Sequence, residues 1–131
     1  MPVVPGFTVA YGCVLVAALL PIVCAALAKV GGRGFDNRRP RDWMARLTGW
    51  RARANAAQSN GFEVLPFFIG AVLIAHQLGA PQGRVDALAV AFVAARIVYI
   101  VCYLADRATL RSLAFAAGLL VNIALLFAGV R

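Results

Sequence analysis

Residues 56–78 read AAQSNGFEVLPFFIGAVLIAHQL. After a polar opening at Gln58, Ser59 and Asn60, the stretch is apolar apart from one carboxylate, Glu63, and the His76-Gln77 pair near its end. It is long enough to cross a bilayer as a helix. Pro66 does not argue against that reading, because membrane helices tolerate proline where neighbouring groups satisfy the freed carbonyl. Gly79-Ala80-Pro81 then stops it.

Three more apolar runs flank this one, at 7–30, 86–105 and 112–130. The first spans about 36 Å as a helix, with Pro21 inside it as an expected kink and Gly31-Gly32 at its end. Asp86 is the expected N-cap of the third. The fold class expected is an all-α integral membrane protein, one four-helix transmembrane domain over residues 1–131, with a basic loop at 31–55. Composition agrees. Of 131 residues 63% are hydrophobic and 14% charged, with a mean hydropathy of +0.83. A soluble domain is about a quarter charged, so the apolar excess must face lipid. Met1–Gly6 has no basic leader and the first run is too long for a signal sequence, so no cleavable signal is expected.

The net charge of +8 lies between the apolar runs rather than along a soluble face. This excludes the usual nucleic-acid footprint and points to anionic headgroups or a small anionic ligand. Cys13, Cys24 and Cys102 all sit inside spans, with no metal-binding or redox spacing. No metal is expected. The first connection and its flanks hold Lys29, Arg33, Arg38, Arg39, Arg41, Arg46, Arg51 and Arg53, and the third holds Arg107 and Arg111. The positive-inside rule places both in the cytoplasm and both termini outside. Within the first loop Trp43, Leu47 and Trp50 recur at helical spacing, as in a short interfacial helix with its indoles among headgroups.

Glu63 and Arg96 are charges inside spans, each costing roughly 2.5–3.5 kcal/mol without a partner or a task. Measured from the basic end they lie at matching depths, about 12 Å and 14 Å, so an interhelical ion pair between them is expected. Asn60 shares a face with Glu63, and Arg53 falls on the same face if the helix begins that early. Arg96, Tyr99 and Tyr103 follow at i, i+3 and i+7 on the third span, with Arg107 and Arg111 beyond. Two readings stand side by side: a pocket for a small polyanionic ligand, or hydrogen-bonded glue between helices. His76 reads as an interfacial or packing residue and Asn122 as helix–helix glue.

Asn60-Gly61-Phe62-Glu63-Val64-Leu65-Pro66 resembles the helix-two signature of the MAPEG family, the membrane-associated proteins of eicosanoid and glutathione metabolism. That signature is R-A-x-x-N-x-x-E followed shortly by Pro. Arg96-Ile97-Val98-Tyr99, then Tyr103 and Arg111-Ser112, also look like family elements. The likeness covers nearly the whole chain and is nearest the short bacterial members, which implies a place in a bacterial inner membrane. It implies a homotrimer of four-helix protomers that binds glutathione, as co-substrate, at subunit interfaces. Carried over, the glutathione contacts fall on Asn60, Glu63, Tyr99 and Tyr103, with Arg96 as an added contact. Arg111 would stabilise the thiolate, with Arg107 as a competitor for that role. Ala56 stands where the signature has its leading arginine; Arg53, one turn earlier, is the substitute on hand.

The function the resemblance implies is a glutathione-dependent membrane transferase or peroxidase acting on a hydrophobic electrophile or lipid peroxide. The alternative is a non-catalytic member of the same family, a binding or assembly subunit, which the missing arginine favours. A small transporter is disfavoured, since no inverted repeat or charge-lined path is visible. The topology is testable on its own. In a background lacking the native thiols, Arg38→Cys should be modified only from the cytoplasmic side; labelling confined to the outside would reverse the assignment.

Overall fold

A computed structural model describes residues 6–131; the leader reading at Met1–Gly6 falls almost wholly outside them. Five helices follow in order: α1 Val9–Lys29, α2 Pro40–Ala45, α3 Gly49–Gln77, α4 Gln82–Leu104 and α5 Ala108–Phe127. Four of them, all but α2, are long and apolar enough to cross a membrane, and the described residues contain no strand. The chain is thus all-helical and multi-pass in character.

Three of the four long helices begin before the apolar runs that announce them, while α1 lies within its run. α3 begins at Gly49 rather than Ala56, and α4 at Gln82 rather than Asp86. Hydropathy marks where lipid lies, whereas the backbone ladder continues through polar residues as long as its own bonds are made. Asp86 is therefore inside α4 and does not cap it. Its Oδ1 instead accepts from the Ala10 N–H of α1 at 2.9 Å, and from Gln82 Nε2 at 2.7 Å. Thr8 Oγ1 accepts from Tyr11 N at 3.2 Å. Two of α1's four orphan N–H groups are thus satisfied, one by a carboxylate from another helix.

The expected interfacial helix in the basic loop is not a single element. Gly49, at φ 63°, turns the chain between α2 and the body of α3, so Trp43 and Trp50 sit on different helices. Trp43 is buried, donates Nε1–H to Arg33 O at 2.9 Å, and meets Phe35 edge-on at 5.2 Å. Its ring closes over Gly32, where a Cβ would lie 2.6 Å from it. This indole pins the loop, while Trp50 stays exposed under the Arg51 guanidinium at 4.5 Å.

Both short connections close with the same backbone device. After α3, Gly79 takes φ 72° and Ala80 N donates back to Ala75 O at 3.0 Å. After α4, Asp106 takes φ 59° and Arg107 N donates to Cys102 O at 2.8 Å. These are Schellman ends, and the left-handed residue is Gly in one and Asp in the other. Asp tolerates that conformation because its short polar side chain suits a turn.

Packing is set by small residues. The buried face of α1 is Ala10, Cys13, Ala17, Pro21, Cys24 and Ala28, spaced by threes and fours. Opposite it, α3 buries Ala54, Ala57, Gly61, Phe68, Ala71, Val72 and Ala75. Lipid is as apolar as leucine, so such helices associate through close van der Waals contact rather than hydrophobic expulsion. Larger side chains such as Leu15, Leu19, Ile22, Val98, Leu113 and Leu120 point outward. Phe68 and Phe92 stack at 4.1 Å between α3 and α4 and fill the centre. The Tyr11 and His76 rings lie 5.8 Å apart, as a packing role for His76 requires.

Gly61 shows how tight the α1–α3 contact is. A Cβ there would stand 2.7 Å from Cγ of the buried Pro21 ring, which cannot turn aside. Gly70, on the same helix, faces open space. Ala for Gly in a helix gains roughly 0.5–1 kcal/mol from propensity, but overpacking costs about 1–3 kcal/mol. Gly61→Ala should therefore lower the melting temperature in detergent while Gly70→Ala leaves it level or raises it. The same response at both positions would contradict the close crossing.

Candidate functional site

Three helices bring the polar residues together. α3 contributes Asn60 and Glu63, α4 contributes Arg96, Tyr99 and Tyr103, and α5 contributes Arg111. On α4 the i, i+3, i+7 spacing puts Arg96, Tyr99 and Tyr103 on one face, and the side chains stack along it. Arg96 lies over the Tyr99 ring at 4.0 Å, Tyr99 meets Tyr103 edge-on at 5.6 Å, and Arg111 lies over Tyr103 at 4.4 Å. The result is a cation–ring–ring–cation ladder running toward the basic end of the bundle.

Two adjoining concavities flank the ladder. One, of about 300 Å³, is lined by Asn60, Tyr99, Tyr103, Arg111, Ser112 and Phe115. The other, of about 130 Å³, reaches further along the helices and includes Glu63, Phe92, Arg96 and Asn122, with Phe115 as the shared wall. Asn60, Tyr99, Tyr103 and Arg111 thus meet in the first, and Glu63 and Arg96 in the second.

The expected Glu63–Arg96 ion pair does not form. The one ion pair among the described residues joins Arg39 to Asp42 at 2.9 Å, on the surface, where such pairs contribute little. Equal depth puts the two side chains beside one cavity but does not fix their direction around each helix. Arg96 takes the nearer ring face on its own helix, and Glu63 remains exposed. A hydrogen-bonded bridge between these two residues is therefore absent.

Arg53 is the other departure. Its Nη2 donates to Leu104 O at 3.3 Å, one of the orphan carbonyls at the C-terminal end of α4, and it lines neither concavity. Arg107 is exposed as the residue preceding α5, while Arg111, one turn on, faces the ladder. Ala56 is half-buried beside Ala57 and brings no charge.

Arg96 is 4% exposed and Asn122 2%. A cation–ring contact offsets about 0.5–2 kcal/mol, less than the roughly 2.5–3.5 kcal/mol cost of an arginine deep in a span. Four buried polar side-chain atoms lack a partner among the described residues: Arg53 Nε, Asn60 Oδ1, Arg96 Nη2 and Asn122 Oδ1. Three of the four belong to residues lining these two concavities. Native structures leave few such groups, so these three call for a partner from outside the described residues: water, a ligand or another copy of the chain.

Ser112, Phe115 and Asn122 also line the site, and the sequence reading did not place them there. A signal existed: 111, 115, 118 and 122 follow helical spacing, so Asn122 shares a face with Arg111. No curated protein and no solved structure gives a match to this chain. The profile of the MAPEG family does, over residues 9–131. That match runs through all four span-length helices and both concavities, and the chain belongs to the MAPEG family.

Proposed function

We propose that this chain is a glutathione-dependent membrane transferase or peroxidase, working as a homotrimer on hydrophobic electrophiles or lipid peroxides. The observation that carries the reading is the cluster of unpartnered Asn60 and Arg96 atoms around the ladder that Arg111 completes. Glutathione offers two carboxylates, an ammonium, two amides and a thiol. Arg96 is a donor for a carboxylate, Glu63 an acceptor for the ammonium, and Asn60 and the two phenols serve amide groups. Arg111, held over Tyr103 at the rim, is the cation for the sulfur.

The chemistry follows from charge. A thiol of pKa about 8.5 is mostly protonated at neutral pH, and a fixed guanidinium nearby favours the thiolate. The thiolate then attacks an electrophile arriving from the lipid side, with proximity supplying much of the acceleration. Family membership supports this reading. So does the openness of the site: Glu63 is exposed in a single protomer, and a neighbouring copy would close over it. Glutathione would enter from the cytoplasm, where the basic loops are placed by the charge rule.

A second reading has its own observation. Ala56 replaces the signature arginine, and Arg53 is occupied at the end of α4. Both favour a member that binds without turning over. Titrating the purified protein with glutathione, then adding a generic electrophile such as chlorodinitrobenzene, separates the two. Binding with conjugation is the expected result, whereas binding without conjugation selects the non-catalytic binding reading, and no binding removes both of these and leaves an assembly role.

Two further outcomes follow. Arg111→Gln should retain glutathione within a few-fold but lose thiolate absorbance and about a hundredfold in turnover, as loss of one stabilising donor commonly does. Arg107→Gln should not. Native mass spectrometry from nanodiscs should show three chains, and a monomer with full glutathione affinity would refute the shared site.

A further inference from the structure

The first connection holds a concavity of about 450 Å³ in which the glutathione reading places nothing. It lies between the end of α1 and the start of α3, and shares no residue with the two concavities beside the ladder. Three arginines line it, Arg33, Arg46 and Arg51, together with the Trp43 indole and Leu47. Arg51 is held in place: its Nη1 donates to Ala28 O at 2.8 Å, and its guanidinium lies over Trp50 at 4.5 Å. The backbone at Arg33 is fixed through its carbonyl, which accepts from the buried Trp43. Arg33 and Arg46 are otherwise exposed, so their side chains can turn toward the space between them.

No carboxylate answers these charges. The chain has five acidic residues, and none lines the concavity. The two within the loop are engaged elsewhere, Asp42 with Arg39 at 2.9 Å and Asp36 with the Arg38 N–H at 2.9 Å. Three like charges gathered round one space favour an anion there. A guanidinium fork pairs two-pronged with carboxylate or phosphate, and depth decides between them. Arg51 stands five residues before the apolar run that opens at Ala56, about 8 Å along the helix. Gly31 follows directly on the run that closes at Val30. Headgroups occupy about 5–8 Å on each side of the hydrocarbon. The concavity is thus level with the lipid phosphates, and the exposed Val30 and Trp50 supply apolar surface at the same level.

We propose that this concavity is a binding site for the headgroup phosphate of an anionic phospholipid. Arg51 is the fixed donor, and Arg33 and Arg46 close on the phosphate from the loop. Trp43 and Leu47 form the wall against which the glycerol lies. The bound lipid fastens the first connection to the membrane, and glutathione has no part in it.

The test titrates the purified full chain in detergent with dioleoyl phosphatidylglycerol or dioleoyl phosphatidylcholine and counts bound lipid by native mass spectrometry. Phosphatidylglycerol should bind about tenfold more tightly, since the choline cation of the other lipid meets three arginines. Arg33→Gln with Arg46→Gln should weaken phosphatidylglycerol about thirtyfold, the scale of two basic side chains at an anionic surface. Arg38→Gln with Arg41→Gln removes the same charge from the same loop but outside the concavity, and should weaken it by no more than about threefold.

Equal losses in the two double variants would mean diffuse attraction to a basic loop and would overturn the site. So would phosphatidylcholine bound as tightly as phosphatidylglycerol. The water-soluble headgroup glycerophosphoglycerol, added at the lipid's own concentration, should leave the lipid bound. Full displacement would assign the concavity to a soluble phosphate and overturn the lipid as its source. The lipid pair and the headgroup competition need no variant, so a poorly folding double variant leaves the proposal open to refutation.

Discussion

Close approach between α1 and α3 is the constraint from which the rest of this bundle follows. Helices in lipid gain nothing from expelling water, so their association depends on how near two backbones can come. The buried face of α1 holds nothing larger than Cys and Pro, and Gly61 takes the Pro21 ring directly against its backbone. That contact fixes the rotation of α3. With Gly61 turned to α1, Asn60 lines a concavity shared with α4 and α5, and Glu63 lines the one beside it. A steric fact on one side of a helix therefore decides the chemistry on the other.

The second feature is where the polar residues stand. On α4 the buried positions are Val85, Ala89, Phe92, Arg96, Tyr99 and Cys102, and on α5 they are Ala114, Gly118, Asn122 and Leu125. Arg96, Tyr99 and Asn122 thus occupy positions that packing alone would fill with apolar side chains. The bundle bears unsatisfied polar groups in its own interior, and stacking on Tyr99 relieves only part of that burden. Interiors that keep such groups usually do so because something else completes them.

Much of this was legible in the amino-acid sequence, and the rest was hidden for identifiable reasons. The four spans were visible because lipid enforces a length and a composition. The shared face of Arg96, Tyr99 and Tyr103 was visible because helical periodicity is rigid. The Glu63–Arg96 bridge was misread because depth along a helix says nothing about direction around it, and a ring three residues away was the nearer partner. The single interfacial helix failed at Gly49, whose left-handed turn leaves the spacing of Trp43 and Trp50 intact while putting them on separate elements. Asn122 was seen, but its lack of a partner is a property of its neighbours and not of its own sequence. Arg53 was placed on the correct face for a site, yet the carbonyl ends of a different helix claimed it.

The carboxylate of Asp86, bonded to the Ala10 amide, has a meaning for biogenesis. α1 is synthesised before α4, which carries Asp86 and is the third of the four long helices. Until that third segment has entered the membrane, the leading end of α1 has only Thr8 and interfacial water to satisfy its free N–H groups. The bond therefore ties an early event to a late one: the first segment threaded is completed by a residue synthesised some seventy-six positions later. A nascent chain halted before residue 86 would hold an inserted but unfinished α1. The N-terminal end of α1 is thus completed only once α4 stands beside it.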